Sequence, residues 1–250
     1  MILLAGLRSF IAACLAGWFC SAAALAETAS VAVAANFTQA AEQLAPAFKA
    51  QTGHDLVFSF GSTGQLFNQI AQGAPFEVFL AADDERPAKA VAEGFAVDGT
   101  VFTYAVGELA LYSTSLDVSD GRAVLEKGAF DKLAIADPAT APYGAAALQT
   151  IEALGLAVDL TPKLVTGENI TQTLQFVESG NAELGFVAAS QVVGKASVWL
   201  VPAELHQPIR QDAVLLKSGE RNPAAVAFLT FLKSEEARDL IRAADYSVGP

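Results

Sequence analysis

The run "DLVFSFGSTGQLFNQIAQG" (residues 55–73) decides the fold class, because it joins a strand pattern directly to a helix pattern. The short apolar run "DLVFSF" (55–60) is typical of a β-strand, and a helical repeat begins directly after Gly61-Ser62-Thr63-Gly64. Small hydroxyl residues and glycines at such a turn cradle anions, because the helix start offers free N–H groups. No Lys or Arg lies in this turn or in the helix pattern after it. An anion held here would therefore be bound by neutral donors.

Three other turns share this design, in which a strand pattern runs into a helix start through small or amide residues. Taken alone, each turn is explained by ordinary helix N-capping. In open α/β sheets, however, ligands lie outside the carboxyl ends of the strands, so the four turns can converge on one oxyanion. The three turns are "AANFTQ" (34–39), "ADPATAPYG" (136–144) and "VTGENIT" (165–171).

Short apolar runs alternate with helical patterns along the whole chain after residue 27. This alternation predicts an α/β fold with mostly parallel sheets flanked by helices. The predicted strands are 30–35, 55–60, 77–81, 101–106, 108–113, 132–136, 162–166, 183–188, 197–201 and 212–217.

Residues 1–26 have the pattern of a secretory signal peptide. Arg8 is the positive charge, an apolar core follows, and "ALA" at 24–26 is a small-x-small cleavage site. A transmembrane anchor is the weaker alternative, because the apolar run is short. A lipoprotein signal ending at Cys14 is weaker still. Both cysteines, Cys14 and Cys20, lie in this segment, so the mature chain is expected to contain no disulfide and no thiolate.

The charge balance is acidic, with a formal net charge of −12 from 15 basic and 27 acidic residues. Cleavage after Ala26 would remove Arg8 and none of the acidic residues. This balance argues against nucleic acid and anionic membranes as partners. Any bound anion must be held by local donors, against the field of the whole protein.

The order and content of the four turns resemble the periplasmic molybdate-binding proteins of molybdate ABC transporters. The matching stretches include "VAVAANFTQAAEQLAPAF" (31–48), "FSFGSTGQLFNQIAQGAPFEVFLAADDERP" (58–87), "ADPATAPYGAAALQ" (136–149) and "LVTGENITQTLQFVESGNAELGFVAASQV" (164–192). The resemblance implies a monomeric periplasmic protein with two lobes. It would close over molybdate or tungstate and deliver the anion to a membrane permease, with no cofactor and no enzymatic activity.

The resemblance also implies ligand-binding residues in the first two turns. The first turn supplies Asn36, with the Ala35 backbone next to it. The second supplies Thr63, where family members usually have Ser, with Ser62 beside it. Molybdenum would be present only as the oxyanion, with no direct protein ligand to the metal.

The third and fourth turns supply the remaining predicted residues. The third turn gives Tyr143, and some family members bind through the backbone N–H at this position. The fourth gives Ile170, usually Val, through its backbone N–H. Some members add a Tyr hydroxyl from a later strand, but this chain has Ala188 there. Asn36 and Tyr143 are expected to replace that donor.

The two-lobed architecture implies two chain crossings at a hinge. We expect lobe 1 to comprise residues 27–107 and 215–250, and lobe 2 residues 108–214. The crossings are expected near 106–109 and 212–216.

Other functions remain as alternatives. The protein could bind sulfate, phosphate or a ferric ion in the same architecture, or be a small hydrolytic enzyme. Phosphate would need an acidic acceptor and iron a set of Tyr, His and carboxylate ligands, and neither set is evident in the four turns. Only His54 and His206 are present as histidines, and both are expected on the surface. Asp83 and Asp84 are better explained by a helix N-cap than by a metal site.

Overall fold

The structure is a computed structural model that describes residues 26–249. The predicted signal peptide lies almost entirely outside the described residues. Within them, ten strands form two five-stranded sheets. The strands are β1 (Thr28–Ala34), β2 (Asp55–Gly61), β3 (Val78–Leu80), β4 (Phe102–Gly107), β5 (Leu109–Ser113), β6 (Leu133–Ala136), β7 (Leu164–Gly167), β8 (Leu184–Ala188), β9 (Val198–Leu200) and β10 (Ile209–Leu215).

The two sheets have the same topology. The first has the order β2-β1-β3-β10-β4 and the second β7-β6-β8-β5-β9. In each sheet the first three strands are parallel, and the fourth, β10 or β5, is antiparallel to both of its neighbours. Each sheet is therefore mixed, with four strands that run in one direction, as the alternation of strand and helix patterns predicted, and one strand that runs in the opposite direction. Because β1, β2, β6 and β7 are parallel within their sheets, their carboxyl ends collect the four turns at facing edges.

Helices cover the sheets. The α-helices of the described residues are α1 (Thr38–Thr52), α2 (Thr63–Ala71), α3 (Glu85–Ala92), α4 (Gly121–Lys127), α5 (Pro142–Ala153), α6 (Ala157–Leu160), α7 (Ile170–Glu178), α8 (Pro223–Phe231) and α9 (Glu235–Ala243). Within residues 26–249, no helix is both long and apolar enough to cross a membrane.

The apolar face of α1 forms part of the core of lobe 1. Leu44 and Phe48 are fully buried, and the Phe48 ring lies 5.4 Å from that of Phe228 on α8 in an edge-to-face arrangement. Full burial of such a side chain stabilises the fold by about 1.5–3 kcal/mol. This packing fixes the start of α1, and with it the first turn, relative to the sheet.

The chain crosses between the sheets twice. The first crossing lies at Glu108, between β4 and β5. The second differs from the expected position near 212–216, because β10 pairs with β4 from Ile209 onward. The return crossing is therefore at 201–208, and 209–214 belong to lobe 1. The sequence concealed the start of β10 because a β-bulge between Gln211 and Asp212 interrupts the alternation of apolar residues.

Candidate functional site

The four turns meet where the two lobes face each other. The hydroxyl of Thr171, in the fourth turn, donates to the Ala35 carbonyl of the first turn at 3.3 Å. The N–H of Gly64, in the second turn, donates to the Thr140 carbonyl of the third at 2.8 Å. Each contact joins one lobe to the other, so this arrangement is a closed conformation.

All six predicted ligand-binding residues are buried in this region. None has more than 6% of its surface exposed. They are Ala35, Asn36, Ser62, Thr63, Tyr143 and Ile170.

The hydroxyl of Ser62 is the most informative group in the second turn. Its Oγ atom is buried and has no hydrogen-bond partner among residues 26–249. Ser62 is the N-cap residue of α2, yet its side chain makes no capping bond. A buried polar atom without a partner costs free energy, so the Ser62 hydroxyl needs an acceptor that the described part of the chain does not provide.

Thr63 contributes a second hydroxyl next to it. The Thr63 Oγ1 atom accepts a hydrogen bond from the Ala82 N–H at 3.0 Å. The hydroxyl proton of Thr63 is therefore left to be donated. Thr63 is the first residue of α2, so its backbone N–H also lacks an intrahelical acceptor.

The third and fourth turns each present a backbone N–H at a helix start. In α5, Pro142 has no N–H, and the Gly144 N–H bonds to the Ala141 carbonyl, which leaves that of Tyr143. In α7, the Asn169 side chain accepts from the second and third N–H groups, which leaves that of Ile170. The positive ends of these helix dipoles favour negative charge at the same place.

The side chains of Asn36 and Tyr143 are joined through Gln211. Asn36 Nδ2 donates to Gln211 Oε1 at 2.9 Å, and Gln211 Nε2 donates to the Tyr143 hydroxyl at 3.2 Å. Gln211 is fully buried and joins the two lobes at the hinge. Gly107 is needed there, because a Cβ at this position would lie 2.0 Å from the Tyr143 hydroxyl oxygen. The Tyr143 hydroxyl accepts the bond from Gln211, so its proton, like that of Thr63, is left to be donated.

Two further tyrosines complete this buried polar network. The Tyr246 hydroxyl donates to the Asn36 carbonyl at 2.8 Å and accepts from the Ser190 hydroxyl at 2.9 Å. The Tyr104 hydroxyl lies 3.1 Å from Gln211 Oε1. Burial raises the pKa of Tyr246 to about 12 and that of Tyr104 well above its usual value. Burial also raises the pKa of Tyr143 well above its usual value. These hydroxyls stay neutral and keep Asn36 in place.

Sequence reasoning did not find this network. Gln211 lies in the part of β10 that the bulge conceals, and Tyr246 is more than two hundred positions from Asn36 in the chain. A fully buried glutamine in the strand "IRQDAVL" is recognisable only when the pairing of β10 with β4 is known.

The guanidinium of Arg86 lies near the second turn in space, although Arg86 lies outside this turn in the sequence. The Nη2 atom of Arg86, on α3, would lie 3.1 Å from a Cβ at Gly64. Its guanidinium is paired with the Asp83 carboxylate and donates to the Ala139 carbonyl at 3.0 Å. Arg86 is therefore committed to protein acceptors.

The two carboxylates in the turns are not offered to a ligand. Asp137 accepts from the Ala139 N–H at 3.0 Å and from the Thr140 hydroxyl at 3.1 Å. Glu168 is exposed. Among residues 26–249, no group of three or more His, Cys, Asp and Glu side chains is placed to hold a metal ion. The groups that converge are donors, and they suit an anion that carries no proton.

Two lobes meet around a buried set of hydrogen-bond donors at the ends of parallel strands. This architecture is that of a solute-binding protein. The chain belongs to the bacterial extracellular solute-binding protein family, whose model matches residues 29–246.

Similar proteins have been characterised in other bacteria. The molybdate-binding protein ModA of Rhodobacter capsulatus is 52% identical over 217 residues, which are 86% of each chain. ModA of Azotobacter vinelandii is 52% identical over 239 residues, which are 93% of this chain and 94% of that one. The solved structure of the Azotobacter vinelandii periplasmic molybdate-binding protein superposes with a TM-score of 0.85, at 38% identity, covering 89% of this chain and all of that one. The resemblance seen in the sequence is confirmed.

Proposed function

We propose that this protein captures molybdate, and equally tungstate, and delivers it to the permease of an ABC transporter. We base this on the buried Ser62 hydroxyl, which has no partner among the described residues and stands beside the free proton of Thr63. Proteins that are 52% identical over most of the chain carry the name molybdate-binding protein.

The donors suit the charge of molybdate. Ser62 and Thr63 supply hydroxyl protons, and Tyr143 and Ile170 supply backbone N–H groups from two helix starts. Hydrogen bonds to a charged group contribute about 1.5–3 kcal/mol each. Each helix terminus adds about 0.3–2 kcal/mol. Several such contacts bind a dianion tightly without a dedicated cation.

The same donors discriminate between oxyanions. Phosphate at neutral pH retains a proton that needs an acceptor, but Asp137 is satisfied within its own loop and Glu168 is exposed. A bound phosphate would therefore hold an unpaired polar group, which lowers its affinity. Sulfate carries no proton at neutral pH but is smaller than molybdate, because S–O bonds are shorter than Mo–O bonds. Tungstate matches molybdate in both size and charge.

Calorimetry of the mature chain with a panel of oxyanions tests this function. Molybdate and tungstate are expected to bind tightly. Sulfate and phosphate are expected to bind at least about a hundredfold more weakly, which corresponds to about 2.7 kcal/mol. Phosphate binding as tight as molybdate binding would refute the assignment of a site made of donors. Tight binding of sulfate alone would identify a sulfate-binding protein.

Molybdate affinity is expected to stay constant from about pH 6 to 9, because the donors do not titrate in this range. The raised pKa of Tyr143 and that of Tyr246, about 12, mean that these residues keep their protons to higher pH than an exposed tyrosine does. Titrations at several pH values in one buffer system would measure this. A change of tenfold or more, on the order of 1.4 kcal/mol, would reveal a titrating group in the site.

The cellular location and the oligomeric state of the protein remain predictions. Export through residues 1–26, residence in the periplasm and the monomeric state follow from the signal-peptide pattern and the resemblance. The absence of enzymatic activity is also a prediction, supported by the positions of the two histidines. His54 is buried, contrary to the expectation that it lies on the surface, and accepts from the Glu27 N–H at the far end of β1. His206 lies in the second crossing.

A further inference from the structure

The two lobes touch through a pair of contacts that involve none of the predicted ligand-binding residues. In lobe 1, Gly64 is the second residue of α2 and Arg86 the second residue of α3. In lobe 2, Ala139 and Thr140 lie in the loop between β6 and α5. The Gly64 N–H donates to the Thr140 carbonyl at 2.8 Å, and Arg86 Nη2 donates to the Ala139 carbonyl at 3.0 Å. Two successive carbonyls of one lobe are thus held by two donors of the other.

We propose that Arg86 and Gly64 are positioning residues that hold lobe 2 closed over the anion, and so set how long it stays bound without touching it. This inference rests on the proposed function, because it concerns the closed state of the same site.

Arg86 is oriented before the lobes meet. The Asp83 carboxylate accepts from both the backbone N–H of Arg86, at 2.9 Å, and its Nη1 atom. The Arg86 side chain is 23% exposed and that of Asp83 is 15% exposed, so this ion pair is well shielded from water. Burial raises the pKa of Asp83, while the hydrogen bonds and charge of Arg86 act in the opposite direction. Because Asp83 fixes one edge of the guanidinium, its other edge is directed at lobe 2 with little further loss of side-chain freedom.

The acceptor loop is equally well ordered. The Asp137 carboxylate accepts from the Ala139 N–H and the Thr140 hydroxyl, and the Asp137 carbonyl accepts from the Ala141 N–H at 2.7 Å. The N–H groups therefore turn inward, and the carbonyls of Ala139 and Thr140 are available to lobe 1. The loop leads directly into the first turn of α5, where the N–H of Tyr143 faces the site. The contact with lobe 1 thus places a ligand donor.

Gly64 makes the close approach possible. A Cβ at this position would lie 2.9 Å from Thr140 Cα and 3.1 Å from Arg86 Nη2. The first of these atoms is backbone of the opposite lobe, so an alanine would push the lobes apart. Within its own lobe, Gly64 has ordinary helical geometry. Alanine forms helix better than glycine, by about a factor of four or more in the equilibrium constant for helix formation. Gly64→Ala therefore acts on closure and not on the fold of lobe 1.

The closed population controls the apparent affinity. The dissociation constant rises in inverse proportion to the fraction of protein in the binding-competent state. An anion that enters an open cleft and is trapped by closure leaves only when the contacts between the lobes break. Weakening these contacts is expected to raise the dissociation rate and to leave the association rate nearly unchanged.

Stopped-flow measurement of molybdate binding to Gly64→Ala tests the proposal. Its dissociation rate constant is expected to rise by about tenfold or more, while its ligand-free melting temperature stays equal to that of the parent or rises. Gln69→Ala, an exposed position on the same helix, is the matched control and should leave both rates unchanged. Dissociation of Gly64→Ala at the parent rate would overturn the proposal.

Arg86 is tested by a second pair of variants. Arg86→Ala and Lys89→Ala each remove one cation from α3, but in the structure only Arg86 contacts lobe 2. Arg86→Ala is expected to accelerate dissociation and Lys89→Ala is not. Arg86→Lys should be intermediate, because lysine lacks the planar fork that serves Asp83 and Ala139 together. Equal effects of Arg86→Ala and Lys89→Ala would reduce the role of Arg86 to its charge and overturn its part in closure.

A measurement without anion separates this inference from the proposed function. Spin labels on cysteines introduced at the exposed residues Glu42 and Glu152, one on each lobe, report the distance between the lobes. The parent should show a shorter distance than Gly64→Ala when both are measured under identical conditions without any oxyanion. A parent that binds no molybdate would refute the function alone, whereas identical distance distributions in both proteins would refute the closure contact.

Discussion

Gly144→Ala is expected to lower the stability of the protein by about 3 kcal/mol or more, at the upper end of the range for overpacking. A Cβ at Gly144 would lie 2.1 Å from the Ala136 carbonyl oxygen and 2.7 Å from its carbon. These atoms belong to the end of β6, which pairs with β7 on one side and β8 on the other, so they cannot move without disturbing the sheet. The start of α5 must move instead, and the Tyr143 N–H moves with it.

Thermal unfolding and molybdate titration of the same samples measure both effects of this substitution. For a chain of this length, 3 kcal/mol corresponds to a fall of about 6–12 °C in the melting temperature. Affinity should also fall, since α5 no longer presents its first turn to the anion. Gly249→Ala is the control, because a Cβ there meets nothing within 4 Å. A Gly144→Ala protein that melts and binds like the parent would show that α5 does not pack against β6 as described.

The sequence was sufficient to predict the strands and the meeting of the four turns. Strand patterns such as "DLVFSF" and the helical repeats between them depend on local apolar runs and periodicity, which a single sequence displays directly. The turns also follow from a general rule, since the carboxyl ends of parallel strands collect at one edge of a sheet. The second turn could therefore be placed near the third and fourth from the sequence, and the resemblance to a known family singled out Ser62, Thr63, Tyr143 and Ile170 within them.

The pairing of strands that are distant in the chain could not be predicted from the sequence. The start of β10 was missed because Arg210, Gln211 and Asp212 interrupt its apolar pattern. The burial of Gln211 arises only when β10 lies between β3 and β4. Its hydrogen bonds then engage the side chain of Asn36 and the hydroxyl oxygen of Tyr143, while the expectation that these side chains replace a missing Tyr hydroxyl stays a prediction.

The role of Arg86 illustrates the same limit. The second turn contains no cation in the sequence, but α3 brings a guanidinium to its edge. Nothing in "DDERP" (83–87) indicates that this arginine crosses to the opposite lobe. The contact depends on the relative placement of two helices in one lobe and one loop in the other.

Ser62→Ala is expected to weaken molybdate binding by about 1.5–3 kcal/mol, or about ten- to more than a hundredfold, because one hydrogen bond to a charged group is lost. The ligand-free protein should be as stable as the parent or more stable. The Ser62 Oγ atom is buried without a partner, and its removal relieves a penalty of about 1–3 kcal/mol. The loss of about 1 kcal/mol usual for an N-cap serine is not expected, because this side chain makes no capping bond.

Thr63→Ala provides the contrast that makes the Ser62 result decisive. The Thr63 Oγ1 atom accepts from the buried Ala82 N–H, so its removal leaves that group unpaired and should lower ligand-free stability by about 1–3 kcal/mol. Binding should weaken as well, since a donor is lost, whereas Thr63→Ser should retain both properties. Melting temperatures and molybdate affinities of the three variants measure these effects. If Ser62→Ala bound molybdate like the parent, the Ser62 hydroxyl would not contact the anion, and the second turn would serve only to start α2. A loss of affinity together with an unchanged or raised melting temperature can arise only if the hydroxyl is kept for the ligand.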